Sequence, residues 1–338
     1  MPVLRPKVKE PRPLRLKAPK KEVRHSELRG HEKKLEELTK GIQKVFPNAI
    51  PMVTFVDECS RMLADFGFNR DNSLAVIGLS RDEVARPLLH LLSKKWGDPY
   101  VTHSLGAQCN VGREGLRQCV QHAPEAKSNN GRKKLVIFTS PNIACNQDSE
   151  VGLLYRANKS GVSHSNNELT KILQSFQRGN LNVVNKIDGS MLDMNDLEMS
   201  LLNAKLSKQC SMESNIFNQM NLQTITRLAG KAALADFEDL IYNTLDLNRV
   251  DVAIVSSIQI HGQYHENEES ENILYDTEFV ALQRGFVVQG GRKEMFRKNP
   301  NNVNLERSAF CDDDLEALEE AQEKKRKADL PSQLFQMI

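Results

Sequence analysis

Three nearly continuous apolar runs constrain the fold most: LAVIGL (74–79), KLVIFTSP (134–141) and VDVAIVSSIQIHG (250–262). A strand with one wet face alternates polar and apolar residues, so runs like these read as strands covered on both faces, the habit of parallel sheets flanked by helices. Helical stretches lie between them. Residues 35–46 and 57–66 read as helices ahead of the first strand, and RDEVARPLLHLLSKKW (81–96) follows it with Val84, Leu88, Leu91 and Leu92 on one face. Pro87 lacks the N–H an interior helical position needs, so it belongs in the opening turns. Further helices are expected over 166–177, 191–209 and 222–246. EFVAL followed by GFVVQGG (278–291) reads as an antiparallel edge hairpin. Alternating strands and helices make this an α/β chain with a largely parallel sheet.

The flanks differ from this centre. Residues 1–35 are rich in Pro, Lys and Arg and poor in large apolar side chains, which predicts a disordered basic tail. Such a tail reads as a solvated segment, a docking arm for an acidic partner or membrane face, or part of a targeting segment. Its prolines with Glu10, Glu22 and Glu27 count against an amphipathic transit helix, which leaves chloroplast or other organelle targeting open. The ordered domain is expected over 36–300, followed by a charged helix or tail over 301–338 that is acidic first and basic last, as a helix dipole favours.

Composition narrows the function classes. The chain has 338 residues, 39% apolar, with a net charge of +2, so it can bury a proper core and carries no global signal for nucleic acid. No run reaches the length of a membrane span. The six cysteines, Cys59, Cys109, Cys119, Cys145, Cys210 and Cys311, show neither disulfide-framework spacing nor a CxxC pair, which predicts an intracellular, reducing compartment.

Ligands of open α/β sheets gather at the carboxyl ends of strands. Ser80–Glu83 follow the first strand, Ser140, Asn142 and Cys145 the second, and His261 ends the third. Ser80-Arg-Asp-Glu83 also fits the S-x-x-E capping box, with Ser80 taking a backbone N–H. Asp82 and Arg86 are spaced as a helical ion pair. Cys119 and His122 are three apart, so one helix face presents both, with Cys145 or His164 available to complete a metal set.

In FGFNRDNSLAVIGLSRDEVAR, the glycines and HAP of NVGREGLRQCVQHAP, PNIACNQDSEVG, YRANKSGVSHSNNEL and SSIQIHG, the chain resembles the limiting-CO2-inducible B/C family (LCIB/LCIC) over roughly residues 60 to 290. Active members of that family are theta-type carbonic anhydrases with a beta-carbonic-anhydrase-like fold. The resemblance implies zinc held by a cysteine, a histidine and a second cysteine, beside an Asp–Arg dyad. The family's CRDE is SRDE here, putting the first ligand on Ser80. The histidine maps to His122, and the second cysteine of GxSxACGAL falls on Asn166 in GVSHSNNEL. Asp82 and Arg86 retain the dyad, the histidine of the PHI motif is Asn142, and Arg156 is a kept anion-binding candidate. A hydroxyl and an amide replace two thiolates, so the resemblance implies a pseudoenzyme without its zinc. The alternatives are an active hydratase using Cys119 or Cys145, and binding through the basic tail. Family habit implies homo- or hetero-oligomers with related subunits and binding of CO2 or bicarbonate.

Overall fold

The computed structural model describes residues 25–125, 131–155, 162–178, 192–212, 220–265, 273–298 and 305–308. In chain order the elements are α1 (His25–Val45), β1 (Ala49–Pro51), α2 (Met52–Asp65), β2 (Leu74–Leu79), α3 (Arg86–Trp96), β3 (Tyr100–Val101), α4 (Gly112–His122), β4 (Lys133–Ser140) and β5 (Asn142–Asn146). They continue as β6 (Leu153–Tyr155), β7 (Val162–His164), α5 (Asn167–Gln177), α6 (Leu197–Met212), α7 (Leu222–Thr244), β8 (Val250–His265), β9 (Ile273–Gln289), β10 (Arg292–Lys298) and β11 (Leu305–Ser308). Nine strands form one mixed sheet in the order β11-β10-β9-β8-β4-β2-β3, with β1 on β9 and β5 on β8. The three apolar runs are its neighbouring parallel strands β2, β4 and β8. β6 and β7 form a separate antiparallel pair.

Period-two geometry splits the side chains of this sheet between two cores. Ile77, Leu79, Val136, Phe138, Ala253 and Val255 pack on α2 and α3. Their alternates Val76, Leu135, Ile137, Val252 and Ile254 pack on α4 and α7 through Leu116, Phe237 and Ile241. A third cluster gathers α1, α5, α6 and the start of α7 over the ends of β5 and β8. α3 buries Leu88, Leu92 and Trp96, and Pro87 sits at its start, where a missing N–H costs nothing.

Four expectations are corrected. Helix α1 begins at His25, inside the segment read as a disordered tail. It docks through Gly41, whose missing side chain lets the helix approach the backbone of Gln147; a Cβ there would lie 2.1 Å from the Gln147 carbonyl oxygen. Second, 278–291 is not a hairpin of its own, because β9 runs through both halves as one strand. Its QRG sequence is a β-bulge: Ser256 pairs with Arg284 and Ser257 with Leu282, leaving Gln283 as the extra residue. The turn comes later, at Gly290–Gly291, both with positive φ (+57° and +77°), as a two-residue hairpin loop requires. Third, Ser80 does not cap the helix. Asp82 does, accepting from the Val84 N–H ahead of a 3-10 turn over Glu83–Ala85, so the helical start is displaced by that turn. Fourth, within the segment expected as a charged tail over 301–338, Leu305–Ser308 instead forms β11 against β10, while residues 1–24, with the rest of the basic tail, 299–304 and 309–338 lie outside the described residues.

Candidate functional site

The parallel strands β2 and β4 end side by side, and the Ser80 N–H donates to the Ser140 carbonyl at 3.4 Å. Ser80 is buried, and its hydroxyl oxygen has no hydrogen-bond partner among the described residues. Two residues further along each strand, Asn142 Nδ2 donates to Asp82 Oδ2 at 3.4 Å. Asn166 enters from the turn before α5, and its Nδ2 donates to the Asn142 carbonyl at 3.0 Å and to Asn142 Oδ1 at 3.3 Å. Asn142 and Asn166 are buried. Asn166 holds a left-handed backbone (φ 58°, ψ 60°), a conformation asparagine tolerates better than most residues. Ser165 secures the turn by accepting the Ala144 N–H at 2.7 Å.

Beneath this turn, β8 presents Gln259, His261 and Gln263 on the face that carries Ala253 and Val255 further back. His261 Nδ1 pairs with Glu278 Oε1, and both side chains are about one-tenth exposed. Gln259 Nε2 reaches both Glu278 Oε2 at 2.9 Å and the Val84 carbonyl at 2.6 Å, tying the pair to the chain that follows Ser80. Gln263 Nε2 donates to the Tyr155 carbonyl at 2.8 Å. Sequence reasoning missed Glu278, which only the β8–β9 pairing places opposite His261. It also missed His103, which stands beside the end of β2 and accepts the Leu79 N–H at 3.3 Å on Nδ1. Burial pulls the His103 imidazole below its ordinary pKa, with help from Arg81. It is therefore neutral at neutral pH, with its proton on Nε2.

The structure brings Ser80, Asp82, Asn142 and Asn166 together, and it separates the other candidates from them. His122 is exposed at the last residue of α4. That helix end lies beside the start of β4, where Lys133 Nζ donates to the Gln121 carbonyl at 3.0 Å. Ser80 lies at the far end of β4, an eight-residue strand about 25 Å long. Placing the metal histidine on His122 is thus corrected: the side chain hydrogen-bonded to Asp82 and Asn166 is Asn142. Cys119 belongs to the core between α4 and β4, and Cys145 to the core under α1. His164 is exposed on β7. Arg86 is exposed. Arg156 lies outside the described residues.

Zinc needs three protein donors of thiolate, imidazole or carboxylate type with the fourth position open. The grouped side chains offer a hydroxyl, two neutral amides and one carboxylate, and the amides are spent on each other and on Asp82. This donor set does not fit zinc. Among the described residues no group of three His, Cys, Asp or Glu is placed to hold a metal ion. Burial also keeps the thiols protonated, with Cys119 pushed up to about 11 and Cys145 to about 12. At pH 8 roughly one Cys119 in a thousand is a thiolate. In the native chain both are expected to alkylate at least ~100-fold slower than after unfolding in guanidinium, read by peptide mass mapping. Equal rates would place a thiol in a reactive position.

The mixed sheet, with polar side chains gathered at the carboxyl ends of its parallel strands, is an open α/β architecture. Within it the chain belongs to the family described as limiting CO2-inducible proteins B/C beta carbonic anhydrases, whose model matches residues 49–289. The crystal structure of limiting CO2-inducible protein LCIB is 25% identical, covers 75% of this chain and 96% of its own, and superposes with a TM-score of 0.60. That of PtLCIB4, a homolog of LCIB, is 16% identical over 75% of this chain and 98% of its own, with a TM-score of 0.59, and shows the fold alone. No curated protein matches.

Proposed function

We propose that this chain is a carbonic anhydrase-like protein of inorganic-carbon handling that works without a catalytic zinc. Its role is then assembly with copies of itself or related subunits, or retention of bicarbonate, rather than CO2 hydration. The observation that carries this reading is the hydrogen-bonded run Asp82–Asn142–Asn166. In zinc hydratases the metal lowers the pKa of its water to about 7, supplying hydroxide at neutral pH. A carboxylate and two amides can orient a water or an anion, but they cannot generate hydroxide. The separate cores of Cys119 and Cys145 give no support to a rearranged metal site. Among the described residues no helix is long and apolar enough to cross a membrane.

Zinc content and CO2 hydration of the purified full chain test this directly. We expect well below a tenth of an equivalent of zinc, and no hydration above the uncatalysed rate in a stopped-flow indicator assay. Near-stoichiometric zinc with rapid hydration would overturn the reading.

A further inference from the structure

A second place in the molecule is built to receive a ligand, on the opposite face of β8 from Gln259 and His261. A cavity of about 560 Å³ opens between α7 and the middle of β8 and β9. The bulge at Gln283 creates it. A regular strand sends alternate residues to opposite sides, yet Ala281, Leu282, Gln283 and Arg284 all contribute to the lining. The Gln283 side chain wedges against α7: its Nε2 donates to the Arg227 carbonyl at 3.1 Å, and its Oε1 accepts from Ser256 Oγ at 3.3 Å. Gly230 leaves room for that wedge, since a Cβ there would lie 1.8 Å from Gln283 Oε1.

The chemistry of the walls is uneven. Arg227, Lys231, Leu234 and Glu238 recur on one face of α7, and Arg284 stands across from them on β9. Arg227 and Arg284 thus face a wall whose one carboxylate, Glu238, is already taken by Lys293. Arg227 is held in place, donating to the Val45 carbonyl at 3.0 Å with its guanidinium 5.5 Å from the centre of the Phe46 ring. Arg284 is exposed, and its side chain makes no hydrogen bond or ion pair with any described residue. Phe46, Ile258 and Leu282 supply the apolar remainder. The volume lies in the range of small-molecule sites, where an apolar lining carries a few placed polar groups. An excess of about two positive charges, with guanidinium forks that match oxyanions, suits a dianion better than a monocarboxylate.

We propose that this cavity binds a small phosphate monoester, its phosphate between Arg284 and Arg227 and its organic body against Phe46 and Ile258. The site is separate from the strand-end polar cluster and stands whether or not zinc binds there. The test is calorimetric titration of the full chain with adenosine 5′-monophosphate and ribose 5-phosphate, against adenosine and inorganic phosphate. At least one monoester is expected to bind below about 1 mM, and at least tenfold more tightly than adenosine or inorganic phosphate. Arg284→Ala, a change at an exposed side chain, and Arg227→Lys, which keeps the charge but not the fork, should each weaken binding at least fivefold. Asn142→Ala should leave it unchanged. Absence of monoester binding at millimolar concentration, equal binding of inorganic phosphate, or indifference to Arg284→Ala overturns the proposal.

Discussion

Combining Ser80→Cys, Asn142→His and Asn166→Cys is expected to raise bound zinc from a trace to nearly one equivalent per chain. Asn142 bonds both Asp82 and Asn166, Ser80 lies two residues before Asp82, and the substitutions supply two thiolates and an imidazole. The cost is small by comparison. A cysteine at the left-handed backbone of residue 166 (φ 58° in the present chain) costs on the order of 1–2 kcal/mol, whereas zinc bound by such donors contributes on the order of 10 kcal/mol. Restored metal should also raise CO2 hydration by at least ~100-fold over the parent, because zinc-bound water ionises near neutral pH. Single substitutions should bind little zinc. Adding His122→Ala to the triple variant should change nothing, since His122 lies at the other end of β4. A folded triple variant, checked by circular dichroism, with less than a tenth of an equivalent of zinc would refute this account of the site.

Glu278→Ala should be the most destabilising single change near that site, by about 3–5 kcal/mol in urea unfolding. It strands His261 in a nearly closed environment and removes an acceptor from Gln259. Gln259 also holds the Val84 carbonyl, so the chain after Ser80 should loosen with it. Glu278→Gln keeps an acceptor at the same place and should cost less, roughly 1–2 kcal/mol. Replacing both partners with leucine should cost far less than the two single changes summed, because no group is then left buried without its partner. A Glu278→Ala chain within ~0.5 kcal/mol of the parent would mean that the pair is solvated and contributes nothing.

How much of this was legible in the residues differs between frame and site. Leu74–Leu79 and Lys133–Ser140 read as strands because continuous apolar runs have few other uses at that length. The QRG of β9 reads as a turn, since glycine after two polar residues breaks a strand pattern. In the structure it is a bulge, because β9 pairs with β8 on both sides of it. Gly285 is there for a neighbour's sake: a Cβ would come within 1.8 Å of the Phe296 ring on β10. Ser80 fits a capping box by spacing alone, but the interposed 3-10 turn hands the cap to Asp82.

The sequence by itself determined the α/β frame, the family likeness, and the residue types at Ser80 and Asn166, a hydroxyl and an amide. Only the tertiary structure decided which residue completes that group. α4 runs back toward the starts of the strands, so His122 finishes about a strand's length from Ser80, while Asn142 follows a strand that runs parallel to β2 and ends beside it. Strand parity then sends Cys145 into the core under α1 and neighbouring Ala144 toward Val84 and Leu154. The direction of an element and the side of a strand are global properties, and they decide which side chains meet.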